Sequence, residues 1–134
     1  MMRKILIVED EPDSRLLLRR RLEANRFAVL EAQDGRDALQ KSKESRPDVI
    51  ILDLRMPEID GIQVYERLRG DPQTQAIPVI FLTGVGSGSS LTEQSVSLIA
   101  STKHGVDLSG PYAVLTKPYD AQELVKKIQE MLGP

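Results

Sequence analysis

The chain has 134 residues, no cysteine, one histidine and a formal net charge of −2. That length suits one domain around one core. The missing cysteines exclude disulfides, thiolate catalysis and cysteine-held metals, and the lone His104 excludes a multi-histidine zinc site. The small net charge gives no broad attraction to nucleic acid, so this domain is expected not to bind it. No apolar run approaches the ~20 residues of a membrane span, so no membrane partner is expected. "MMRKILIV" leads directly into a strand-like segment, so no signal peptide is expected to stand apart from the fold. The expected location is the cytoplasm.

The first strand is Ile5-Leu6-Ile7-Val8, a run apolar enough to be buried on both faces. Pro12 suits the first turn of a helix that carries Leu16, Leu17, Leu18 and Leu22 and ends near Asn25. Ala28 to Glu31 reads as a weaker second strand. Asp34 caps a second helix with Ala38 and Leu39. Val49 to Leu52 is a third, strongly apolar strand. Asp60 caps a third helix that turns Ile62, Tyr65 and Leu68 inward, and Gly70-Asp71-Pro72 ends it. Val79 to Leu82 is the fourth strand. "GVGSGSS", Gly84 to Ser90, has the composition of a hinge or flexible loop. It is no phosphate-binding loop, because no Gly-Lys-Ser/Thr follows. Ser90 and Glu93 have capping-box spacing for a further helix, with Leu91, Leu98 and Ile99 on one face and Gly105 as its stop. His104 is expected there as a partner for the helix dipole. Tyr112 to Leu115 is the fifth strand. Asp120 and Glu123 open a last helix that buries Leu124, Ile128 and Leu132.

Five β-α units imply a parallel sheet with helices on both faces, since crossovers are right-handed. Chemistry in such sheets lies beyond the carboxyl ends of the strands. The first strand ends in Glu9-Asp10-Glu11 and the third in Asp53. In the order 2-1-3-4-5 those ends adjoin. Two like charges ~5 Å apart at an effective dielectric near 20 repel by roughly 3 kcal/mol. Glu9, Asp10 and Asp53 therefore invite a cation, and an all-oxygen donor set suits Mg2+. The fourth strand ends in Thr83 and the fifth leads to Lys117. Acids, a cation and an amine make a phosphoryl-transfer constellation. Asp53 is the candidate nucleophile, Lys117 a neutraliser of the transferring oxygens and Thr83 a hydrogen-bond donor to one of them.

At this point "VEDEP", "DLRMPEIDG", "LTG" and "LTKPY" stand in order at the ends of strands one, three, four and five. The chain closely resembles the receiver domain of bacterial two-component response regulators over essentially its whole length. The resemblance implies a single flavodoxin-like (βα)5 domain spanning 1–134, with the stand-alone architecture of chemotaxis receivers. It implies a phosphoacceptor switch rather than an enzyme, although one that assists its own phosphorylation and dephosphorylation. Asp10, Asp53 and the backbone carbonyl of Arg55 are expected to ligate Mg2+ directly, with Glu9 acting through water. Lys117-Pro118 is expected to be a cis peptide. A sensor histidine kinase or histidine phosphotransferase is the expected partner, docking near the first helix with its "RLLLRRRLEANR" run.

Two features depart from the family pattern. The span from Thr83 to Lys117 is roughly a dozen residues longer than usual, an excess typical of functional loops, with the surplus between Val85 and Pro111. In addition, the position three before the lysine usually holds an aromatic or histidine that swings inward on activation. Here it is Val114, which has no ring to rotate. Strand alternation puts Tyr112 on the same face, where it can partly substitute. The expected readout is thus an altered surface around the lengthened segment, the fifth strand and the last helix. Alternatives are a degenerate receiver acting as a phosphorylation-independent interaction module, or a receiver cut from a longer regulator. A haloacid-dehalogenase-like hydrolase needs an acid two residues beyond Asp53, where Arg55 stands. A flavin carrier is disfavoured because Glu9-Asp10-Glu11 would repel the flavin phosphate.

Overall fold

In a computed structural model of the chain, residues 2–53, 61–83, 111–116 and 119–133 are described. Five strands, β1 (Lys4–Val8), β2 (Ala28–Ala32), β3 (Val49–Asp53), β4 (Val79–Thr83) and β5 (Tyr112–Thr116), form one sheet in the order β2-β1-β3-β4-β5. Every neighbouring pair is parallel. The described helices are α1 (Pro12–Ala24), α2 (Gly35–Ser45), α3 (Gly61–Arg69) and α4 (Ala121–Leu132). The helix expected between Ser90 and Gly105, with His104 and the "GVGSGSS" loop, lies outside the described residues, as does the Asp60 cap.

The strands are apolar at consecutive positions because both sheet faces are covered. Leu6, Val8, Ile50, Leu52, Val79 and Phe81 face Ala38 of α2 and Ile62, Val64, Tyr65 and Leu68 of α3. Their immediate neighbours Ile5, Ile7, Val49, Ile51, Ile80 and Leu82 face Leu18 and Leu22 of α1 and Leu124 and Ile128 of α4. Each such buried side chain contributes about 1.5–3 kcal/mol of transfer free energy. β3 is buried at all five positions. Its last residue is an aspartate, so the best-covered strand delivers the acid.

Local signals set the helix starts. Glu11 caps α1 by accepting from the amides of Asp13 and Ser14 at 3.2 and 2.7 Å, with Pro12 in the first turn. Asp34 caps α2 and Asp120 caps α4, through the amides of Asp37 and Glu123 at 2.9 and 2.7 Å. Of the four leucines of α1, Leu18 and Leu22, one turn apart, are buried, whereas Leu16 and Leu17 are exposed.

At the amino edge of the sheet a ring cluster joins three elements. Tyr65 of α3 lies 5.3 Å from Phe81 of β4, and Tyr112 of β5 lies 5.9 Å from each. The Arg69 guanidinium sits 4.3 Å above the Tyr65 ring. It also donates to the carbonyls of Gln75, Ile77 and Pro111 at 2.9, 2.7 and 2.7 Å. Arg69 thereby ties the end of α3 to the approaches of both β4 and β5. Burial pushes the Tyr65 hydroxyl above its ordinary pKa, against the opposing pull of Arg69.

Candidate functional site

Strand register brings the acids together. Val8 pairs with Leu52 across β1 and β3, so the next residues, Glu9 and Asp53, come level at the carboxyl edge. Glu9 is 3% exposed and Asp53 5% exposed, while Asp10, one residue past Glu9, faces solvent. One carboxylate oxygen from each of the three lies within 4.8 Å of the others. The Glu9 carboxylate also accepts from the Glu11 amide at 3.3 Å.

Three carboxylates gathered so closely, two of them buried, require compensation. Their oxygens are hard donors without sulfur or imidazole, which suits Mg2+. An octahedral Mg2+ with bonds of about 2.1 Å holds opposite oxygens about 4.2 Å apart. Separations of up to 4.8 Å therefore fit an ion that two acids touch and the third reaches through water.

The other expected groups are placed only in part. Asp53 pairs with Leu82, and Thr83 with Thr116. Thr83 therefore closes β4 one residue beyond the level of Asp53, and β5 ends beside it. Lys117 follows Thr116 in the chain, but Lys117, Pro118 and Arg55 lie outside the described residues. Tyr112 and Val114 do share one face, both packing partly buried against the cluster that contains Phe81 and Tyr65. The Tyr112 ring stands at the amino edge, opposite Val79, four residues from the carboxyl end of β5.

One group beside the acids has no sequence signature. Arg15, on the first turns of α1, donates from Nη1 to the backbone carbonyl of Glu9 at 2.8 Å. Its Nε lies 3.3 Å from the Glu31 carboxylate of β2, whose other oxygen meets Arg19 at 2.6 Å. The Glu31 carboxylate raises the pKa of Arg19 further through that hydrogen bond. Lys41 of α2 donates to the Glu31 carbonyl. Glu31 thus joins α1 and α2 at the end of β2 next to the acid edge.

A doubly wound parallel sheet with three convergent acids at the carboxyl ends of two adjacent strands defines a flavodoxin-like α/β domain with an acid cluster at its carboxyl edge. Within that class the chain belongs to the response regulator receiver domain family, whose model matches residues 5–129. It is 33% identical to Protein PilH of Pseudomonas aeruginosa, over 98% of this chain and 99% of PilH. It is 35% identical to the DNA-binding dual master transcriptional regulator RpaA of Synechocystis, over 98% of this chain and 49% of RpaA. The chain spans about half the length of RpaA and of most of the other curated relatives it matches. Among solved structures it superposes on the Vibrio cholerae chemotaxis protein CheY4 with a TM-score of 0.80 at 26% identity, covering 98% and 99% of the two chains. The chain is therefore a phosphoacceptor signalling domain, and the expected fold and strand order hold. Among the described residues no helix is long and apolar enough to cross a membrane.

Proposed function

We propose that residues 1–134 act as one receiver domain in which Asp53 accepts a phosphoryl group from a phosphohistidine on a sensor kinase or phosphotransferase. A carboxylate oxygen of Asp53 attacks phosphorus. The new P–O bond forms as the P–N bond breaks, and the departing imidazole nitrogen keeps the electron pair and takes a proton from solvent. Mg2+, when bound by Asp10, Asp53 and the Arg55 carbonyl with Glu9 acting through water, supplies charge neutralisation for the transferring oxygens. Lys117 neutralises the same oxygens, and the Thr83 hydroxyl then hydrogen-bonds the phosphoryl group. The observation that carries this reading is the convergence of Glu9, Asp10 and Asp53 within 4.8 Å, with two of the three buried. Register supports the rest, since Thr83 and the residue before Lys117 close adjacent strands at the same edge.

The partner docks against α1, where Leu16 and Leu17, 46% and 51% exposed, stand beside Arg20. The readout runs through β5, α4 and the lengthened segment 85–111, with Val114 in the usual aromatic position and Tyr112 as the nearest ring on that face. A small-molecule acyl phosphate with Mg2+ should add one phosphoryl group, seen by intact mass. Asp53→Asn and chelation should each abolish the addition. Labelling of Asp53→Asn at the wild-type rate would overturn the assignment.

A further inference from the structure

We propose that Arg15 is a positioning residue for the acid site, acting on the peptide that joins Glu9 to Asp10. This rests on the reading of those acids as cation ligands. The Glu9 carbonyl and the Asp10 amide belong to one planar unit, so the orientation of that carbonyl sets where the Asp10 side chain starts. The preceding Glu9 amide reaches the Ala32 carbonyl only at 3.4 Å. Asp10 itself sits in an exposed bend after β1 has ended. The hydrogen bond from Arg15 Nη1 to the Glu9 carbonyl, at 2.8 Å, is the shorter tie on this turn. It comes from a side chain that is 17% exposed and braced on its other edge by Glu31 at 3.3 Å. A guanidinium does both at once because its donors form a planar fork, which an ammonium lacks. Glu31 is fixed in turn by Arg19 and by its place in β2 opposite Ile7. The path runs from β2 through Glu31 and Arg15 to the Glu9-Asp10 peptide, and so to two of the three acids.

Two effects of Arg15 on a divalent cation oppose each other. Its positive charge disfavours the ion, and its hold on the peptide preorganises the ligands. Glu31 offsets much of that charge, so positioning wins. Partners that orient metal ligands are typically worth about 10- to 100-fold in affinity.

The test is Mg2+ titration of the full chain by amide NMR or calorimetry, with thermal unfolding as a check on folding. Arg15→Ala should weaken Mg2+ binding about tenfold and move the Asp10 amide resonance before any metal is added. Arg15→Lys keeps the charge but loses the fork, and should also weaken binding. Arg67→Ala removes an equal charge from an exposed position in the last turn of α3, outside that path, and should stay within about twofold of wild type on the same scale. Wild-type or tighter binding in both Arg15 variants would overturn the proposal. A wild-type chain with no Mg2+ response would instead overturn the acid-site reading on which the proposal rests.

Discussion

Converting Asp53 to asparagine should stabilise the metal-free protein. Glu9 and Asp53 present buried carboxylate oxygens no more than 4.8 Å apart. At an effective dielectric of about 20 their repulsion is about 3.5 kcal/mol. Screening at the solvent edge and relaxation reduce this, and a net gain of about 2 kcal/mol is expected once one charge is removed. For a chain of this length, that shifts the unfolding midpoint upward by about 7 °C. The assay is thermal unfolding of wild type and Asp53→Asn, first with chelator and then with excess Mg2+. With chelator the variant should melt higher. Added Mg2+ should raise the wild type, by mass action on the folded state, and leave the variant nearly unmoved. A variant that melts lower than wild type in chelator, or that gains as much from Mg2+, would refute the reasoning.

Three further outcomes follow from the packing. Phe81→Ala should cost about 3–5 kcal/mol in denaturant unfolding, because the ring is fully buried between Tyr65 and Tyr112. Arg69→Ala removes hydrogen bonds to three carbonyls, and should cost about 2–3 kcal/mol and speed amide exchange at Val79, whose N–H bonds the Pro111 carbonyl. Tyr65 has its pKa raised above the ordinary 10.0 by burial. Its contribution to stability is full below the unfolded pKa and is lost as pH rises through the folded one. Unfolding free energy measured between pH 9 and 11 should therefore fall more steeply in wild type than in Tyr65→Phe.

The parts of this molecule legible in its sequence are those governed by local rules. The strands show as apolar runs because both faces of the sheet are covered, and Asp34 and Asp120 announce helix starts because capping needs only a neighbour three residues on. The acids are legible because each ends such a run. Pairing between Val8 and Leu52 then makes Glu9 and Asp53 meet without further information. What sequence does not disclose is side-chain reach between elements. Arg15 grips a carbonyl six residues back and a carboxylate on another strand, a geometry with no period to detect. The trio of Tyr65, Phe81 and Tyr112, packed at tilted and edge-on angles, likewise draws one ring from each of three separate segments. In α1 the leucine run does not reveal which two face inward until the helix is laid on the sheet and Leu18 and Leu22 take that face.

The Arg69 anchor bears on how freely this domain can diversify. The excursion after Thr83 leaves from one edge of the sheet and re-enters at Pro111 on the other, where Arg69 grasps the returning chain. For a connection between two fixed points, doubling its length costs only about 0.6 kcal/mol. Wherever the chain between two such fixed points is flexible, its length can therefore change at little thermodynamic cost, because the Pro111 anchor and the acid edge hold their places independently of it.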